Sequence, residues 1–289
     1  MFSKIKRQLK GLANYLDPNK IPAYYFDAKP NFGDSIGPFI ISKVSGNKTL
    51  NIRELPLKPN YAYCTVGSLL HSLAKPNCHV WGSGFISDPA DKIRRIKEKP
   101  LTVSALRGPI SADFAKKMGW GYCEVFGDPG LLMPKYLELE GVNTSDTITL
   151  IPHYSFAKNH TVNPARFNVV YPWYPLEVVA KKINESKLVI SSSLHGIILA
   201  DAYRVPWIWW REENDIRKGG ELKFLDFFAS LSIQNPSSVT GKFYEQCILT
   251  DNLLDKANLS DSNKLSIVQA GLIESMPVFK TNAEIRNQK

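Results

Sequence analysis

The chain has 289 residues, of which 44% are apolar and 22% charged, so it is long enough for two sizeable cores and is neither disordered nor fibrous in composition. Lys and Arg outnumber Asp and Glu by 36 to 27, giving +9, which favours anionic partners such as nucleic acid, lipid headgroups or phosphorylated small molecules. No apolar run nears the roughly 20 residues that span a bilayer, no signal-peptide core follows the basic start, and Cys64, Cys78, Cys123 and Cys247 lie too far apart for a CxxC pair or a zinc site. The expectation is a cytoplasmic protein with reduced thiols and no metal.

Phe2, Ile5, Leu9, Leu12 and Leu16 recur at steps of three and four, with Ser3, Lys4, Lys6, Arg7 and Lys10 opposite them. Residues 1–16 therefore predict a basic amphipathic helix, stopped by Asp17-Pro18. Packing on its own domain and anchoring on an anionic membrane surface both suit it. Ala23 to Phe26 predicts a first strand, and Asn31-Phe32-Gly33-Asp34 a strand-to-helix loop whose helix runs through Phe39, Ile40 and Val44. Asn31 and Asp34 suit helix capping and, equally, hydrogen bonds to ligand hydroxyls.

Tyr61 to Val66, Cys78 to Trp81 and Leu101 to Leu106 predict further strands, broken by Gly67-Ser68, Gly82-Ser83-Gly84 and Arg107-Gly108-Pro109. Small residues at the carboxyl ends of strands let a ligand reach the backbone. Glu124 to Phe126 ends in the same style at Gly127-Asp128-Pro129, and the polar stretch 138–146 is a candidate linker. Strand signals resume at Thr147 to Ile151 before Pro152-His153-Tyr154, at Asn168 to Tyr171 before Pro172-Trp173, at Leu188 to Ile190 and at Pro206 to Trp210. Leu176 to Ile183 has helical spacing, as do residues 221–230 and 267–273. Strand and helix alternate through both halves, so the fold class is α/β, with one Rossmann-like domain over 1–140 and another over 146–289 that ends in a helical segment.

The chain is organised around Lys187 to Tyr203, which reads as a buried strand, a turn of Ser191-Ser192-Ser193, and a helix opening on Leu194-His195-Gly196. A helix that starts at the carboxyl edge of a parallel sheet aims free backbone N–H groups at the crevice where ligands bind. His195 is the residue there with an ordinary pKa near neutrality, suited to general acid or base work. A capping or core histidine is the plainer reading.

Together these motifs, with Ala200-Asp201-Ala202-Tyr203 and Lys223-Phe224 before Asp226, resemble the polysaccharide pyruvyl transferase family, particularly its bacterial exopolysaccharide branch. The resemblance runs from about residue 31 to 230. It implies two Rossmann-like domains facing a cleft in a glycosyltransferase-B-like arrangement. It also implies use of phosphoenolpyruvate to form a pyruvate ketal across two hydroxyls of a terminal sugar, with release of phosphate. His195 takes the role of general acid by that resemblance. Arg107, Ser192, Ser193, Leu194, His153 and Lys223 fall to the donor, and Asn31 and Asp34 to the acceptor. Where much of the family has an Arg before Leu-His-Gly, this sequence has Ser193, so Arg107, Lys223 or Arg211 must hold the donor carboxylate. Arg107 also suits a helix cap or an ion pair, Lys223 a solvated face, and His153 a structural hydrogen bond.

No cofactor beyond phosphoenolpyruvate as co-substrate is implied. The acceptor implied is a glycan on a polyprenyl pyrophosphate lipid at the inner membrane face, where the basic first helix would make a peripheral contact. A nucleotide-sugar glycosyltransferase of the same architecture and a non-catalytic glycan-assembly protein are the alternatives; nucleic acid is not expected, since no aromatic-basic motif appears.

Overall fold

The computed structural model describes residues 17–55, 61–72, 77–88, 100–121, 123–139, 146–157, 167–211, 220–240 and 252–286. The expected helix at 1–16, most of the expected linker, and Cys247 lie outside the described residues. The strands are β1 (Ile21–Tyr24), β2 (Thr49–Asn51), β3 (Ala62–Cys64), β4 (Cys78–Trp81), β5 (Thr102–Ala105), β6 (Ile148–Ile151), β7 (Asn168–Val169), β8 (Leu188–Ser191), β9 (Trp207–Arg211) and β10 (Ser238–Thr240). The longer helices are α1 (Phe32–Ser45), α2 (Pro109–Lys117), α3 (Leu176–Asn184), α4 (Leu194–Ala202), α5 (Leu222–Ser230) and α6 (Ser262–Glu274).

They build a mixed α/β fold with two parallel sheets of five strands each, ordered β2-β1-β3-β4-β5 and β10-β9-β8-β6-β7. A parallel sheet covered on both faces needs apolar residues on both, which is why its strands read as continuous apolar runs. In β8, Val189 joins the central core while Leu188 and Ile190 face an outer cluster. In β9, Trp207 and Trp209 turn inward and Ile208 and Trp210 outward.

The short edge strands β2 and β10 escape the sequence reading because each holds a single apolar residue, Leu50 or Val239, between polar ones. The expected strand over Glu124 to Phe126 is reduced to one parallel bridge between Leu106 and Phe126, after which the chain turns into the short helix Pro129–Leu132.

One apolar cluster runs through both sheets, joining Ile36 and Ile40 of α1, Leu131 and Leu132, Ile197 and Ile198 of α4, Phe227 and Phe228 of α5, and Leu265 and Leu272 of α6. The last described segment crosses back to the first sheet. Trp81 Nε1 donates to Leu272 O at 3.0 Å, Tyr63 Oη donates to Val278 O at 2.7 Å, and Asn282 N donates to Lys20 O at 2.9 Å. The sequence reading assigned all of 146–289 to the second half; single hydrogen bonds between residues some 200 positions apart leave no local pattern. Among the described residues no helix is long and apolar enough to cross a membrane.

Candidate functional site

In an open parallel sheet the chain leaves one strand toward opposite sides at a switch point, and the crevice beyond the strand ends there receives ligands. The first sheet switches between β1 and β3, which puts the loop from β1 into α1 at its crevice. The second switches between β6 and β8, so the loops after those strands, Pro152 to Tyr154 and Ser192 to Ser193, share its crevice. The two switch points meet.

Asn31 begins the contact. Its extended backbone (φ −154°, ψ 116°) makes it the N-cap of α1, and its side chain accepts from Gly33 N at 3.2 Å. Phe32 N donates to Pro172 O of the second half at 2.8 Å. Gly33 lies directly on the imidazole of His195, where any Cβ would overlap Nδ1, so only glycine admits the ring. Asp34 and Asn31 line an open pocket of about 270 Å³ with Tyr25, Asp27 and Lys29. Burial drives the Asp34 carboxyl up to about 7, against the hydrogen bond from Asn31 and the charge of Arg53.

On the opposite side a serine ladder fixes the turn. Ser191 Oγ accepts from Ser193 N at 3.0 Å and shares its proton between Ile151 O and Ser193 O, while Ser192 Oγ accepts from His153 N at 2.7 Å. Ser193 is the N-cap of α4 but makes no capping hydrogen bond with its side chain. Ser192, Ser193 and Leu194 are all buried beneath the crevice. His153 Nδ1 lies 2.8 Å from Ser155 Oγ.

His195 is the second residue of α4, partly exposed as a residue but with its Nε2 buried and without a hydrogen-bond partner. Burial, then the charges of Lys223, Arg107 and His153, push it down to about 3. The structure thus brings His195, Lys223, Arg107 and His153 into one electrostatic neighbourhood. The imidazole in it stays neutral near pH 7.

Arg107, assigned to the donor by the family resemblance and equally suited to an ion pair, is fully buried and its guanidinium is engaged within the protein. Nε and Nη2 bind Asp226 Oδ2 at 3.0 and 2.9 Å, Nη1 donates to Ser68 Oγ at 2.7 Å, and Nη2 to Phe85 O at 2.5 Å. Asp226 also accepts from Ser111 N and Oγ at 2.9 and 2.6 Å, so α5 caps α2 from a distance. Gly108 is glycine because a side chain there would overlap the Asp226 carbonyl. Ser68 and Gly84, from two of the small-residue turns of the first sheet, thus lie against the Arg107 guanidinium. Lys223, on the first turn of α5 and partly exposed, is near enough for its charge to act on His195. Arg211, the other candidate, is bound to Glu221 at 2.5 Å.

Sequence reasoning missed three features. The Asp226 partnership has no sequence signal, since its partner is 119 residues away. Asp128 is buried with Oδ1 accepting from Gly130 N at 2.8 Å, as a turn residue should, but its Oδ2 has no partner and burial pushes its carboxyl up to about 6. Tyr154, Tyr171 and Trp173 form an aromatic group beside the β1–α1 loop, for which a Pro-Trp turn was the one hint.

A two-sheet α/β fold with a histidine at a helix start between facing switch points defines the class, and the comparisons agree. The model of the family described as polysaccharide pyruvyl transferase matches residues 8–211, most of the chain, and the chain belongs to that family. Succinoglycan biosynthesis protein ExoV of Rhizobium meliloti is 27% identical over 200 residues, covering 64% of this chain and 58% of that protein. The match thus spans less than two thirds of that relative. An uncharacterized protein of Acanthamoeba polyphaga mimivirus is 24% identical over 245 residues, covering 81% of each. Among solved structures, the wall teichoic acid polymerase TagF aligns at 9% identity and a TM-score of 0.46, covering 99% of this chain and 95% of its own.

Proposed function

We propose that this chain is an enzyme that transfers a pyruvyl group from phosphoenolpyruvate to two hydroxyls of a terminal sugar, forming a pyruvate ketal and releasing phosphate. The observation that carries the reading is His195, with its unpartnered Nε2 at the start of α4 and Lys223 among the cations around it. Cationic side chains near enough to act on His195, beside backbone N–H groups at a helix start, suit a small polyanion. Family membership supports the donor, and the name of the Rhizobium relative supports an exopolysaccharide acceptor.

On this reading Lys223, His153 and the first amides of α4 hold the donor's phosphate and carboxylate, and Arg107 acts through its charge without touching it. The bound anion raises the pKa of His195, which takes up a proton and delivers it to the methylene carbon. The C2 cation so formed is captured by one acceptor hydroxyl, the C2–O bond to phosphate breaks, and the second hydroxyl closes the ketal. One hydroxyl proton replaces the one His195 gave; the other leaves with phosphate. Asp34, titrating near neutrality at the rim of the pocket, is placed to accept a hydroxyl proton. No metal enters the scheme.

The two sheets are read as Rossmann-like domains facing across a cleft in a glycosyltransferase-B-like way, 1–140 toward the acceptor and 146–289 toward the donor, with the final segment returning to the first. The acceptor glycan is carried by a polyprenyl pyrophosphate lipid, and the basic residues Lys4, Lys6, Arg7 and Lys10 keep the enzyme at the cytoplasmic surface of that membrane.

Thermal stability with phosphoenolpyruvate or uridine diphosphate tests the reading. A donor at about 100 times its Kd adds roughly 2.7 kcal/mol, a visible rise in the midpoint. We expect the rise with phosphoenolpyruvate alone, and its loss in Lys223→Gln. A rise with the nucleotide and none with phosphoenolpyruvate would replace this function by nucleotide-sugar transfer.

A further inference from the structure

Six tryptophans occur in the chain, and five of them, Trp81, Trp120, Trp207, Trp209 and Trp210, are buried. Trp173 is 41% exposed. Leaving a ring of that size in water forgoes the burial that stabilises the others, so an exposed indole flanked by aromatic rings asks for an occupant. Its ring stacks on Tyr171 with centroids 4.8 Å apart and planes 4° from parallel, and Tyr154 meets its edge at 6.3 Å. This stack stands beside the Asn31–Asp34 pocket. Phe32 N is bonded to Pro172 O, the residue before Trp173, and Lys29 of the pocket wall places its Nζ 5.0 Å from the Tyr154 ring centre.

We infer that the Tyr171–Trp173 stack and the Asn31–Asp34 pocket together form a subsite for one pyranose ring of a glycan, the ring's C–H face on Trp173 and its hydroxyls on Asp34 and Asn31. A pyranose has that division: an apolar face of axial C–H groups, drawn to the negative face of an aromatic ring, and a rim of hydroxyls needing fixed donors and acceptors. The pocket supplies the rim. Asn31 offers an amide and Asp34 a carboxyl. Pro38, four residues after Asp34, has no N–H to give the Asp34 carbonyl, which leaves that oxygen without its usual intrahelical donor. The inference rests on the reading of the chain as acting on a glycan, and deepens it by placing the sugar one residue from Gly33, on which His195 lies.

The test uses the full-length protein on an array of bacterial glycans, with Trp173→Ala, Trp173→Phe and Asp34→Asn alongside, each confirmed by an unshifted unfolding midpoint. The expected result is retention of wild type on glycans sharing a terminal pyranose, a fall of about tenfold or more in Trp173→Ala and Asp34→Asn, and partial recovery in Trp173→Phe. Retained glycans should also shield the exposed tryptophan emission from acrylamide. Equal retention of Trp173→Ala and wild type, or no glycan retained by wild type, overturns the subsite. Stabilisation by phosphoenolpyruvate is read separately on the same proteins. If it is absent while retention still depends on Trp173, the donor reading fails and the subsite stands.

Discussion

Gly33 is where the two halves of the site meet at the scale of one residue. Because any Cβ there would overlap His195 Nδ1, Gly33→Ala must push the imidazole aside. The expected outcome is a fall in ketal formation of about 10²-fold, the kind of loss a misplaced catalytic group causes, with phosphoenolpyruvate still raising the unfolding midpoint. A Gly33→Ala enzyme with wild-type turnover would show that His195 is not the acid. The pH dependence follows from the same residue. Its ring is pushed down to about 3 in the unliganded protein, while in the unfolded chain it titrates near its ordinary value. The unfolded state therefore binds a proton that the native state refuses, and stability falls as pH drops from about 6.5 toward 3. His195→Gln should flatten that slope in urea titrations at successive pH values; an unchanged slope would remove His195 as its cause. His195 was legible in the sequence because a polar turn between a strand and a helix is a local pattern. Its neutrality was not, since Lys223, Arg107 and His153 come to it from separate elements.

Among the elements, the helix pair α2 and α5 carries the clearest structural demand. Asp226 of α5 satisfies Arg107 and caps α2 through Ser111, all of them buried. Removing one partner of such a buried pair leaves the other's charge uncompensated and costs about 3–5 kcal/mol. Asp226→Ala should lower the unfolding free energy from urea titration by that amount, and the double change Arg107→Met with Asp226→Leu should recover part of it. A loss under about 1 kcal/mol, the range of an exposed pair, would contradict the buried role. Gly and Ser at the ends of β3 and β4 suit an open binding edge and a buried guanidinium alike, and local composition does not separate the two; Ser68 and Gly84 lie against Arg107. Most strands and helices were legible because apolar runs and helical periods mark them; β2 and β10 each hold one apolar residue among polar ones and carry no such run.

Over the whole molecule, the apolar cluster that joins α1, α4, α5 and α6 ties both sheets into one core. Calorimetry should show a single unfolding transition, with Leu272→Ala lowering it as a unit by about 2–5 kcal/mol. Two separated transitions, only one of them moved, would contradict a shared core. The alternation of strands and helices announced the α/β class, whereas the return of residues 272–282 to the first sheet depends on distant hydrogen bonds that no pattern records. The central claim is that the facing switch points hold a neutral histidine that becomes an acid when phosphoenolpyruvate fills the cationic crevice. The most direct measurement is nitrogen NMR of the histidine side chains at pH 7 during titration with phosphoenolpyruvate, with His195→Gln identifying the signal. The account predicts a neutral His195 ring in the free protein and an imidazolium, protonated at both nitrogens, in the complex. A ring that stays neutral at saturation would contradict it.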